Sequence, residues 1–170
     1  GLRTHDIQTP FPEEYNRQIT GIIADYHFAP TDLSRKNLLA EGKDKESIIV
    51  TGNTVIDALL LVLKKIDVVE NKSKDITLRL NEHVPFDWEA ARFVLITGHR
   101  RENFGQGFLD ICEAIKEVAI KNPDVHFVYP VHLNPSVQKP VNEILLGLDN
   151  VWLIEPLDYE DFVYLLKQSY

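Results

Sequence analysis

The fold is decided at residues 94–103, which read VLITGHRREN. An apolar run typical of a buried strand ends there in Gly98, and a cluster of ionisable side chains follows, beginning with His99 and Arg100. A parallel strand delivers its last residues to the carboxyl edge of its sheet, and ligands of open α/β proteins bind in the crevice outside that edge. Because an imidazole and two guanidinium groups stand together, the expected ligand is an anion such as a phosphate or diphosphate.

Strands and helices alternate on both sides of this stretch. Short apolar runs predict strands at residues 26–29, 48–50, 93–97, 125–130 and 151–154. Helical spacing predicts helices after residue 12, from residue 31 to Gly42, and at 55–66, 108–121, about 136–146 and 158–169. This alternation predicts an α/β fold in which βαβ units build a parallel sheet. Residues 67–90 break the pattern with mixed charges, one pair of adjacent valines and a proline, and are predicted to be a linker or a surface excursion.

The composition excludes several classes of protein. A net charge of -8 argues against a nucleic-acid binder, which needs a large basic face. Apolar runs such as 58–63 are far too short to span a bilayer, so no membrane association is expected, and no secretory leader is expected either. The single cysteine, Cys112, excludes an internal disulfide and fits a reducing compartment, so a cytoplasmic protein is expected.

Two familiar kinds of cofactor site are missing from the sequence. The glycines at 98, 105 and 107 form neither the G-x-G-x-x-G dinucleotide fingerprint nor a phosphate-binding P-loop, which disfavours nicotinamide cofactors and ATPase chemistry. The six histidines include no H-x-x-x-H pair and the cysteine has no partner, so no metal site is predicted.

Three further places could carry chemistry, each with a structural alternative. His132 follows the strand at 125–130 and would share an edge with His99, or it is simply an exposed histidine in an Asn-Pro turn. Residues 155–159 could receive a base through a backbone amide and an aromatic ring, or they only begin a helix, with Asp158 as its cap and Tyr159 and Phe162 in the core. Glu13, on a proline-stiffened loop, could act as a general acid or base, or it only complements a helix dipole.

Five collinear motifs resemble the bacterial non-hydrolysing UDP-N-acetylglucosamine 2-epimerases. The motifs are GLRT at 1–4, PFPEE at 10–14, VTGNTVID at 50–57, TGHRREN at 97–103 and YPVHLNP at 129–135. The resemblance implies a GT-B-type architecture, in which two Rossmann-like domains face each other across a cleft, and a homodimer. Residues 1–52 would be the C-terminal part of the first domain, and residues 53–170 the first half of the second, UDP-binding domain. Since family members are about twice as long, the chain alone is expected to be inactive.

The resemblance also implies a reaction and its residues. Such enzymes convert UDP-N-acetylglucosamine to UDP-N-acetylmannosamine, a precursor of surface polysaccharides, by eliminating UDP to a glucal and adding it back, without a metal or another cofactor. Glu13 and His99 match catalytic positions, Leu157 and Phe162 match positions that hold the uracil, and Arg100 and His132 match a second, allosteric UDP-sugar site. The alternatives are a GT-B glycosyltransferase that uses a nucleotide sugar, and a non-catalytic nucleotide-sugar-binding module.

Overall fold

The computed structural model describes residues 2–98 and 105–170. The chain divides into two compact units, Gly1–Leu61 and Val62–Tyr170, each with its own parallel sheet. The predicted α/β class with parallel strands is therefore confirmed. The division falls inside a helix rather than after residue 52, and the assignment of residues 1–52 and 53–170 to two domains of a larger protein stays a prediction.

The first unit is one βαβ arrangement preceded by a helix. Its elements are α1 (Glu13–Ile23), β1 (His27–Ala29), α2 (Asp32–Ala40) and β2 (Ile48–Val50), with a single 3-10 turn at Lys45–Ser47. The two strands pair in parallel, and α2 forms the crossover between them. The Thr31 hydroxyl begins α2 by accepting a hydrogen bond from the Ser34 amide at 3.2 Å. The predicted strands and crossover helix are confirmed.

The second unit carries a three-stranded parallel sheet in the order β3-β4-β5. Its elements are α3 (Thr54–Val68, which begins in the first unit's range), α4 (Lys72–His83), β3 (Phe93–Leu95), α5 (Gln106–Lys121), β4 (His126–Pro130), α6 (Pro135–Leu145), β5 (Val151–Ile154) and α7 (Tyr159–Gln168). Each predicted strand and helix from residue 92 onward is confirmed within a few residues. In the described ranges no helix is both long and apolar enough to cross a membrane.

Consecutive residues of the central strand β4 enter different cores, as the two-residue period of a strand requires. Phe127 and Tyr129 pack among residues of α5 and α6, whereas Val128 packs among residues of α3, α4 and α7. Helices therefore cover both faces of the sheet, which is the doubly wound arrangement whose ligands bind at the carboxyl edge.

The prediction of a linker or surface excursion at residues 67–90 was wrong. The segment forms α4, whose Ile76 and Leu80 are 0% exposed. Trp88, which follows α4, is 2% exposed. Phe86 stacks on the His126 ring with centroids 4.2 Å apart. This stretch therefore supplies one wall of the core that includes Val128.

Candidate functional site

The carboxyl ends of β3, β4 and β5 lie at one edge of the sheet because all three strands are parallel. His132 follows β4, and Leu157 follows the neighbouring strand β5. His99 and Arg100, which follow β3 in sequence, lie outside the described residues. Two of the candidate residues, His132 and Leu157, therefore follow neighbouring strands at this edge, and their role in a site stays a prediction.

His132 is exposed, and its ring is held by the backbone of its own loop. The Asn134 amide donates a hydrogen bond to Nδ1 of the imidazole at 3.1 Å. A nitrogen that accepts a hydrogen bond carries no proton, so the neutral ring has its proton on Nε2. Asn134 in turn caps α6 by accepting from the Ser136 amide at 2.9 Å. The Asn-Pro turn of the structural alternative is thus present, and the exposed imidazole lies in that turn, directly after β4.

A buried tyrosine fixes the backbone just before the segment that contains His99. Tyr129 of β4 is 1% exposed, and its hydroxyl donates to the Gly98 carbonyl at 2.6 Å. Burial raises the pKa of Tyr129 to about 12, with a smaller contribution from Cys112. The sequence analysis assigned Tyr129 only to an apolar strand. The one sequence signal for this hydrogen bond was the presence of a tyrosine, with its hydroxyl, within an otherwise apolar run of a predicted strand.

The start of α5 requires a glycine. Gly105, in the N-cap position, has φ 90° and ψ -140°, a conformation essentially reserved for glycine. It lines a groove of about 450 Å³, together with Phe108 of α5 and with Ser136 and Lys139 of α6. The groove opens beside the N-termini of two helices, whose partial positive charge favours anions.

The two residues predicted to hold a uracil lie on either side of the start of α7. Leu157 is half-buried against the core that includes Trp88, and Phe162 is half-buried in α7. Tyr159, which the structural alternative put in the core, is 51% exposed. Asp158 occupies the N-cap position, yet its side chain makes no capping hydrogen bond within the described residues.

Ion pairs connect α7 to α3 and α4. Asp161, beside Phe162, is 4% exposed and accepts a bidentate pair of hydrogen bonds from Arg79, with Nε to Oδ2 at 2.9 Å. This pairing raises the pKa of Arg79 against the opposing effect of burial. Lys72 and Lys65 both contact Glu160 and lower its pKa. The sequence analysis missed these groups because their partners are remote in sequence.

Glu13 belongs to the first unit, as the first residue of α1. Its side chain is exposed, and within residues 2–98 and 105–170 its carboxylate makes no hydrogen bond or ion pair. The next residue, Glu14, is by contrast 0% exposed. Of the six predicted site residues, three lie in the second unit, namely His132, Leu157 and Phe162, and Glu13 lies in the first. The other two, His99 and Arg100, lie outside the described residues.

Comparison with known proteins identifies the family. The family model described as UDP-N-acetylglucosamine 2-epimerase matches residues 1–170. The chain is 56% identical to the UDP-N-acetylglucosamine 2-epimerase of Campylobacter jejuni and 52% identical to that of Yersinia pestis. All of this chain is covered in both comparisons, but only 44% of each relative.

Solved structures agree with this result. The UDP-GlcNAc 2-epimerase from Neisseria meningitidis bound to UDP-GlcNAc is 45% identical, with a TM-score of 0.87 over 100% of this chain and 44% of that one. The Methanocaldococcus jannaschii UDP-GlcNAc 2-epimerase in complex with UDP-GlcNAc and UDP is 31% identical, with a TM-score of 0.70 over 99% of this chain and 44% of that one. The predicted α/β fold of GT-B type is confirmed for the part that this chain covers.

Proposed function

The chain belongs to the UDP-N-acetylglucosamine 2-epimerase family, and from that membership we propose that it is part of an enzyme that interconverts UDP-N-acetylglucosamine and UDP-N-acetylmannosamine. The single observation that carries the proposal is the match of the family model along residues 1–170. The geometry adds support, because His132 and Leu157 follow adjacent parallel strands at the edge where α/β proteins bind nucleotides.

The proposed reaction is an elimination followed by an addition. A base removes the proton from carbon 2 of the sugar, the bond from carbon 1 to the diphosphate oxygen breaks, and a double bond forms between carbons 1 and 2. UDP leaves with the bonding electron pair. Protonation of carbon 2 on the opposite face and return of the UDP oxygen to carbon 1 give the epimer. No atom changes its net oxidation state, so the reaction needs no redox cofactor.

Each step needs a group that the chain can supply. The proton at carbon 2 has low acidity, so the leaving diphosphate must be stabilised by cationic donors, the role proposed for His99. Glu13 is proposed to exchange the proton at carbon 2 as a general acid or base, which suits an exposed carboxylate on a helix start. The closed site must also exclude water, which would otherwise trap the glucal.

Nucleotide binding is proposed for the second unit. Leu157, through its backbone, and Phe162 hold the uracil, and the ion pair between Arg79 and Asp161 keeps the first turn of α7 in place for them. Arg100 and His132 bind a second UDP-N-acetylglucosamine as an activator.

The proposed whole protein is a cytoplasmic homodimer of GT-B architecture that feeds the synthesis of surface polysaccharides. Sedimentation of a protein with the relatives' full length tests the dimer. Because the chain spans 44% of those relatives, the 170 residues alone are expected to give no turnover.

Proton NMR of UDP-N-acetylglucosamine in deuterated water tests the reaction, with a protein of the relatives' full length that contains this chain. Deuterium entering at carbon 2 while the manno epimer accumulates supports the epimerase. Glu13→Gln is expected to abolish both signals, whereas Glu117→Gln, an exposed glutamate of α5, serves as the matched control and leaves them unchanged. Release of UDP only after an acceptor is added would establish a glycosyltransferase instead, and binding without exchange would establish a non-catalytic binding module.

A further inference from the structure

A fully buried glutamate stands beside the proposed acid or base. Glu14 is 0% exposed, although it lies in the exposed first turn of a helix and next to the exposed Glu13. Burying a carboxylate without partners is very costly, so a buried one is expected to have a specific set of donors. The proposed reaction uses only Glu13 of this pair and leaves Glu14 without a role.

The carboxylate of Glu14 is surrounded by donors. Gln18 Nε2 donates to Oε1 at 3.1 Å and Arg17 Nη1 donates to Oε2 at 3.4 Å, and the neighbouring Thr4 backbone lowers the pKa of the carboxyl. Burial raises the pKa of Glu14, but these hydrogen bonds and the charge of Arg3 together hold it below its ordinary value. The group is therefore an anion that only accepts hydrogen bonds, which suits a site where every neighbour donates.

The groups around Glu14 belong both to α1, which contains Arg17 and Gln18, and to the preceding loop, which contains Thr4. The Thr4 hydroxyl donates to the carbonyls of Asp6, at 3.2 Å, and of Thr9, so Thr4 also connects the two ends of the loop at residues 4–9. Pro12, in the N-cap position of α1, has no side-chain acceptor and cannot cap the helix. The buried carboxylate of Glu14 therefore supplies a link between the loop and the first turn that a capping side chain would otherwise provide.

Neighbouring helical residues point about 100° apart, so one can be buried while the other faces solvent. They share a peptide bond, and fixing the side chain of Glu14 fixes the backbone that carries Glu13. We infer that Glu14 is a positioning residue, which holds the first turn of α1 so that the Glu13 carboxylate keeps its place for proton exchange at carbon 2. This inference rests on the proposed function. A misplacement of about 1 Å can cost roughly 100-fold in rate, so the effect is measurable.

The test compares Glu14→Gln, Glu13→Gln and the control Glu117→Gln in the full-length protein. The amide of Glu14→Gln keeps the size of the side chain but turns one acceptor into a donor that faces other donors. We expect its kcat to fall by about 10- to 100-fold, while KM and the Kd for UDP change by less than about 3-fold. Glu13→Gln is expected to lose turnover, and Glu117→Gln to keep it.

A smaller perturbation covers the case in which Glu14→Gln does not fold. Gln18→Ala removes one donor, and we expect a fall in kcat of roughly 3- to 10-fold with an unchanged Kd for UDP. The positioning role is overturned if folded Glu14→Gln protein has the kcat of the wild type, or if Gln18→Ala has it where Glu14→Gln is insoluble. Epimerisation by the wild type would still support the proposed function. Parallel losses of kcat, UDP affinity and thermal midpoint in both variants also overturn the positioning role, because they indicate loss of folded protein. A wild-type protein without epimerisation overturns both proposals.

Discussion

Leu80→Ala is expected to destabilise the second unit strongly, whereas Leu78→Ala on the same helix is not. Leu80 is 0% exposed in the core that α4 shares with Trp88, and Leu78 is 66% exposed. Truncating a buried leucine removes about three methylene equivalents at roughly 0.8 kcal/mol each and leaves a cavity, which together amount to about 3–4 kcal/mol. Truncating the exposed leucine changes the free energy of unfolding by about 0.5 kcal/mol or less.

Urea denaturation of the chain, followed by tryptophan fluorescence, measures this difference. Both tryptophans, Trp88 and Trp152, lie in the second unit, so the fluorescence reports on that unit. Leu80→Ala should lower the urea midpoint without changing the slope, and its thermal midpoint should fall by roughly 10 °C. Equal shifts for the two variants would contradict the assignment of α4 to the core and would restore the view of residues 67–90 as a surface excursion.

Two other changes test polar contacts around the candidate site, both by urea denaturation. Tyr129→Phe should cost about 1–2 kcal/mol, since it leaves the part-buried Gly98 carbonyl without its donor, while Tyr26→Phe, at an exposed position, should cost almost nothing. Because the pKa of Tyr129 is about 12 when folded and near 10 when unfolded, its contribution is complete below pH 10 and is lost as pH rises to about 12, and Tyr129→Phe should lack this loss. Asp161→Asn should cost about 1–3 kcal/mol by unpairing Arg79 from a buried partner, in contrast to the exposed Glu117→Gln, and an equal cost for the two would refute the role of the buried pair.

The strands of the second unit could be predicted because a parallel sheet covered on both faces needs apolar residues on both sides of each strand. Its strands are then continuous apolar runs that stand out from the sequence. In β4, Phe127 and Tyr129 belong to one core and Val128 to the other, so residues 127–129 form an uninterrupted run of aromatic and aliphatic side chains. The place of His132 and Leu157 at one edge followed from the strand order alone.

The helix α4 could not be predicted by the same reasoning. Only Ile76 and Leu80, one turn apart, are buried in a helix rich in charged residues. The charges that made the segment look like a linker have partners far away in sequence, and Arg79 pairs with Asp161 of α7. A helix that buries only a narrow apolar stripe and forms ion pairs with residues distant in sequence can be recognised only from the tertiary structure, in which α4 contacts α7.

The candidate site shows the same limit at the scale of two adjacent residues. The sequence marks Glu13 and Glu14 equally, as carboxylates that suit a helix start. Their different environments arise because the helical phase turns Glu14 toward the Thr4 backbone, Arg17 and Gln18, and leaves Glu13 exposed. A loss of turnover after substitution of either glutamate therefore does not by itself identify the group that exchanges the proton. Gln18→Ala separates the two roles, because it removes a hydrogen-bond donor to Glu14 and leaves the Glu13 carboxylate, which is proposed to act on the sugar, chemically unchanged.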